Sequence, residues 1–275
     1  MPYSAGSSLP EHRIKASIDT DDSSNRIQDD EYARRYGFRA GLVPGMSMFA
    51  YMSRPLIESM GRDWLDRGSA EVHFIRPIYE GEEIRVNGTV SSVSSDGALS
   101  LDYKAANPQG ATCGIGIAKL PATKSGAEPS PDDFPPGRTK LHRPISLETL
   151  QVGEALTPLT SEFTWNVHWQ YCRKTIRDHH QLYERIMHPG WLASRASQIM
   201  AANYAIPAWI DVSSYVQNIN LLEGECTIET RGRVYDKFER DGDHFIILDL
   251  GVFAPTRCLA TMRYTAIFRI APNAA

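Results

Sequence analysis

Between His168 and His188 the chain places four of its eight histidines, together with Asp178, Tyr171 and Tyr183. Imidazole titrates near physiological pH, and a carboxylate within reach can fix its tautomer, so this segment suits general acid–base chemistry. Asp178, His179, His180, Tyr183 and His188 are the candidate catalytic residues. His179 and His180 are adjacent, so an extended backbone sends them to opposite sides and only one reaches a given pocket. His188 stands directly before Pro189-Gly190, where a helix start is expected. The free N–H groups of such a start can hold an oxygen that gains negative charge, which makes Gly190 and Trp191 candidate substrate-binding residues. A zinc site is not indicated, because the spacing of His168, Cys172 and His179 fits no four-ligand pattern.

The elements that must carry these residues occur twice. Pro189-Gly190-Trp191 matches Pro44-Gly45-Met46; Leu221-Leu222-Glu223-Gly224-Glu225 matches Ile78-Tyr79-Glu80-Gly81-Glu82; Leu248-Asp249-Leu250 matches Leu101-Asp102-Tyr103. The matches keep their order, which indicates a tandem duplication. After each Pro-Gly comes a stretch that is apolar on nearly every helical face, from Met46 to Ile57 and from Trp191 to Ala201, which predicts two buried helices. Pro55 and Pro207 predict a kink or an end in each. Period-2 alternation then predicts strands over residues 71–78, 83–93, 99–105 and 112–120, and again over 214–222, 227–235, 244–252 and 259–270. Residues 121–144 hold six prolines and read as a linker, leaving an N-terminal repeat over 1–120 and a C-terminal repeat over 145–275. A long buried helix followed by an antiparallel meander predicts a sheet curled around a helix.

A net charge of −4 over 275 residues, without a stripe of Lys or Arg, argues against a nucleic-acid or anionic-membrane surface. No run approaches a transmembrane length, and the first ten residues lack the pattern of a signal peptide. Four cysteines without metal or disulfide spacing predict reduced thiols, hence a cytoplasmic protein.

Three patterns resemble the MaoC-like branch of the hotdog superfamily, the (R)-specific enoyl-thioester hydratases and dehydratases. They are Asn25-Arg26-Ile27-Gln28-Asp29-Asp30-Glu31-Tyr32-Ala33 with Gly37-Phe38, then Phe74-Ile75-Arg76-Pro77-Ile78-Tyr79-Glu80-Gly81-Glu82, then Asn107-Pro108-Gln109-Gly110. The resemblance implies an α+β fold, a tandem (double) hotdog with an antiparallel sheet wrapped around a long central helix in each repeat. It also implies a dyad in Asp-x-Asn-Pro-x-His. In the first repeat Ser23, Asn25 and Gln28 fall on that motif, and neither Ser nor Gln is a base near neutral pH, although Asp21 and Asp22 could restore a carboxylate by a one-residue shift. In the second repeat Asp178 matches the acid and Tyr183 replaces the histidine. The expected reaction is reversible addition of water to a 2-enoyl thioester, or its loss from a 3-hydroxyacyl thioester, on coenzyme A or an acyl carrier protein. The chemistry is expected at Asp178, Tyr183 and His188 with His179 or His180, and no metal or redox cofactor is required. The first repeat, with Gly45, Met46 and Asn25, is expected to accommodate substrate, in a monomer or homodimer. A non-catalytic acyl-thioester binding module and a cyclase, isomerase or thioesterase remain alternatives. The first turns after Gly45 and Gly190 hold no acid, which weighs against a thioesterase with its carboxylate on that helix.

Overall fold

The computed structural model describes residues 3–18, 24–124, 126–138 and 140–271; Asp21, Asp22 and Ser23 lie outside them. The first half contains β1 (His12–Lys15), α1 (Asp30–Arg34), α2 (Gly45–Arg67), β2 (Ser69–Phe74), β3 (Glu83–Val93), β4 (Leu99–Ala106) and β5 (Thr112–Leu120). The second contains β6 (Leu159–Phe163), α3 (Trp165–Gln170), α4 (Pro189–Asn203), β7 (Ile210–Asn218), β8 (Cys226–Arg240), β9 (Asp243–Ala254) and β10 (Arg257–Arg269).

The ten strands of the described residues form one antiparallel sheet in the order β1-β3-β4-β5-β2-β7-β10-β9-β8-β6, so the two halves mirror each other across the β2–β7 pair. There Ala70 faces Val216 and Val72 faces Ser214. One face of each strand is apolar because side chains alternate: in β4, Leu99, Leu101, Tyr103 and Ala105 are buried and their neighbours are not. That face closes over α2 and α4, which pack against each other. Met52, Leu56 and Trp64 of α2 share one core with Ile199 and Met200 of α4. Each such buried side chain contributes about 1.5–3 kcal/mol, so the halves stabilise each other through a common interior. The double hotdog expected from the sequence is the architecture observed.

Pro55 does not end α2. The helix runs through it, and its break falls at Gly61, where φ is 54° and ψ is −136°. α4 ends at Asn203, four residues before Pro207 is reached. Two strands escaped the sequence reading, β1 and β6. They are short edge strands of four and five residues, too brief to show a persistent alternation. Residues between β5 and β6 run along the second half: the Glu128 carboxylate accepts from the Cys258 N–H at 2.6 Å, and the Phe134 ring meets that of Phe253 at 5.9 Å. The four cysteines are free thiols, and no helix among the described residues is long and apolar enough to cross a membrane.

The two Pro-Gly glycines are steric requirements. A Cβ on Gly190 would stand 2.4 Å from the Ala50 Cβ, and one on Gly45 would stand 2.6 Å from the Asp211 Cβ. Gly190→Ala is therefore expected to overpack the α2–α4 contact and to cost about 1–3 kcal/mol, read as a lower midpoint in denaturant. An unchanged midpoint would show that the helices can slide apart freely.

Candidate functional site

Each long helix presents an N-terminal mouth, and the two mouths are built differently. At α4, Arg177 adopts a left-handed conformation (φ 56°) that turns the chain so that Asp178 points inward. Asp178 is 2% exposed and His188 is fully buried. Their side chains meet at 3.3 Å, between His188 Nε2 and Asp178 Oδ2. The other ring nitrogen, Nδ1, accepts the Gly190 N–H at 2.9 Å, so the proton sits on Nε2 and is donated to the carboxylate. The Trp191 N–H goes to the His188 carbonyl at 3.0 Å. From the first half, Arg54 of α2 pairs with Asp178 and with Glu58. Burial pushes the Asp178 carboxyl up, but the His188 hydrogen bond and the Arg54 guanidinium outweigh it and hold the group well below its usual range.

The remaining candidates surround this pair. The Tyr183 ring lies 4.3 Å from that of His188, and its buried hydroxyl makes no well-formed hydrogen bond to the described residues. His179 is exposed. His180 turns the other way, accepting the Leu182 N–H at Nδ1, with Nε2 at 3.8 Å from Glu58. Trp191 packs inward under the Arg195 guanidinium, 3.9 Å from the ring centroid. The N–H groups of Gly190 and Trp191, expected to receive a substrate oxygen, are thus occupied by His188, which acts as the N-cap of α4. Asp178 has both oxygens engaged. The α4 mouth is a closed polar joint between the halves.

The α2 mouth opens into a cavity of about 130 Å³. Its wall combines Gln28, Gly45, Met48 and Phe74 of the first half with Trp209 and Asp211 of the second. Asn25 fixes the seam: its amide donates to the Trp209 carbonyl and accepts the Trp209 N–H, both at 2.9 Å. Asp211, at the start of β7, is 8% exposed. It accepts the Tyr264 hydroxyl on one oxygen and the Met46 N–H on the other, the latter at 3.3 Å. Burial raises the Asp211 pKa, and the bonds from Tyr264 and from the Met46 and Gly45 N–H groups offset that only in part. Arg76, exposed at the rim, is the other ionisable residue of the wall among the described residues. Gln28 stands half-buried where the first-repeat histidine of the motif would be.

Asp211 and Arg54 were not singled out from the sequence. Asp211 lies at the head of a strand whose alternation becomes regular only from Ser214, and an acid between Ile210 and Val212 was its one local signal. Arg54 was the lone cation within the apolar stretch after Gly45.

No family model matches the chain, and no curated protein does. Solved structures do. A MaoC domain protein dehydratase from Chloroflexus aurantiacus J-10-fl shares 13% identity over 98% of this chain and 97% of its own, with a TM-score of 0.69. A Mycobacterium tuberculosis protein described as having a double hotdog fold shares 14% identity, with 96% of each chain covered and a TM-score of 0.64. An oleoyl thioesterase from Lactobacillus plantarum shares 9% identity over 97% of each chain, with a TM-score of 0.51. At these identities the likeness establishes the fold, on which both dehydratases and thioesterases occur.

Proposed function

We propose that this chain is a hydratase/dehydratase of a 2-enoyl or 3-hydroxyacyl thioester, carried on coenzyme A or an acyl carrier protein, and that the reaction takes place at the α2 mouth. The observation that carries this reading is a buried carboxyl, Asp211, on the wall of an otherwise largely apolar cavity at a helix N-terminus. A buried carboxyl with a raised pKa is a candidate to exchange a proton with a carbon acid. In dehydration the Asp211 carboxylate takes the C2 proton and its carboxyl form returns that proton to the departing C3 hydroxyl. The C2–H and C3–O bonds break, C2=C3 forms, water leaves, and hydration is the reverse. The Gly45 and Met46 N–H groups are turned towards the Asp211 carboxyl; in this reading they pass to the enolate-like thioester oxygen as Asp211 takes up the proton. In this reading the Asp178–His188 pair keeps α4 in place, and monomer or homodimer serves equally.

A second reading, thioester hydrolysis, is favoured because the described residues of the cavity wall supply no imidazole, and one carboxyl and a water suffice for it. One experiment separates the two. With crotonyl-CoA, loss of the enoyl absorbance without release of free thiol supports hydration. Stoichiometric thiol release, which removes the enoyl-thioester absorbance as well, makes the protein a thioesterase, and binding with neither product leaves an acyl-thioester binding module.

Because the basic form of Asp211 starts the dehydration, kcat/KM is expected to fall as pH drops through its raised pKa. The acid limb should lie above the ordinary carboxylate value near about 4 and should vanish in Asp211→Asn. An acid limb unaffected by that substitution would assign the titration elsewhere.

A further inference from the structure

We infer that the α2-mouth cavity selects acyl groups of about four or five carbons and that Met48 sets the limit; this deepens the reading above and rests on it for the thioester. The volume of about 130 Å³ is slightly below the roughly 150 Å³ of a cavity that takes a benzene ring. About six heavy atoms therefore fill it, one of them the thioester oxygen. The space cannot lengthen along the helix. Met48 lies one turn into α2, 2% exposed, with its sulfur against β5: a Cβ on Gly114 would stand 2.8 Å from the Met48 sulfur and 2.9 Å from that of Met52. The glycine is what makes room for the two thioethers, and a longer acyl chain would have to displace both. Sideways growth meets Phe74, whose ring edge would lie 2.8 Å from a Cβ on Gly45.

The wall is also shared between the halves. Trp209 and Asp211 come from the chain after α4, and Asn25 ties Trp209 to the segment before α2. A polar end at Asp211 and an apolar end at Met48 orient the acyl group with its reacting carbons next to the carboxyl. Up to the limit, each added methylene strengthens binding by about fourfold, as burial of a CH₂ predicts. Beyond it the gain stops and reverses.

The test uses S-butyl-CoA and S-octyl-CoA, thioethers that can be neither hydrated nor hydrolysed, titrated calorimetrically into the full chain. S-butyl-CoA is expected to bind at least tenfold more tightly than S-octyl-CoA. Met48→Ala should remove or reverse that preference, Met48→Val should shift it part way, and Met48→Leu should keep it. The valine and leucine variants carry the test where the alanine variant does not fold. Equal affinity for the two ligands in the wild type, or a preference that none of the variants moves, overturns the inference. Selectivity without crotonyl-CoA hydration would instead remove the reaction and keep the size limit, and hydration without selectivity would do the opposite.

Discussion

Asp211→Asn lowers kcat on crotonyl-CoA by an expected factor on the order of 10² to 10⁴, about 3–5.5 kcal/mol of barrier, as for loss of a general acid–base group. Asparagine has nearly the same shape, and its carbonyl oxygen can still accept from Tyr264 or Met46. What disappears is the ability to hold and release a proton. Stability should move the other way. The folded pKa of Asp211 is raised above its unfolded value, so its contribution is fully present below about 4 and is lost as pH rises through the folded value. At neutral pH the asparagine variant escapes that loss, and its melting temperature should equal or exceed that of the wild type. A variant that keeps kcat within threefold removes Asp211 from the chemistry.

The largest effect on folding is expected from Asp178→Ala, at about 3–5 kcal/mol. The substitution leaves the fully buried His188 Nε2–H without its acceptor and the half-buried Arg54 guanidinium with Glu58 alone, and stranding a partner costs more than the pair contributed. For a chain of this size that corresponds to a melting temperature lower by roughly 6–20 °C, while turnover per folded molecule stays within about tenfold. Adding Arg54→Met should recover part of the loss, a coupling that a double-mutant cycle reads directly. Since the Asp178 pKa is depressed, its stabilisation is present above the unfolded value of 3.8 and fades as acid protonates the carboxylate, so the variant and the wild type should converge in stability at low pH. Should Asp178→Asn abolish kcat and spare stability, the α4 mouth is the reaction centre and the pair opens during turnover.

The parts of this molecule that depend on short-range constraint could be read from the sequence. The Pro-Gly starts follow from helix stereochemistry and close packing, and the eight long strands follow from alternation. Their repetition implied the mirrored sheet. The site was legible only in pieces. Asp178 and His188 stood out by type, but the sequence could not tell that His188 spends Nδ1 on Gly190 and closes its own mouth. Asp211 was invisible because its meaning lies 165 residues away, at Met46. Burial and hydrogen bonding decide whether a carboxyl is a base or a strut, and both are properties of the tertiary fold.

The covalent join between the halves has an evolutionary consequence. A hotdog homodimer must carry two identical active mouths, so any mutation is suffered twice, once on each side of the axis. Here the chain between β5 and β6 joins two unlike partners covalently, at a local concentration in the millimolar range, whatever the abundance of the protein. The tether also ensures that β2 and β7, each an open template for aggregation if its half were alone, always find one another. One mouth could then harden into a strut while the other kept its opening, with Asp211 lent to it across the axis. Division of labour that would otherwise need two genes and a recognition code between their products is written into a single polypeptide.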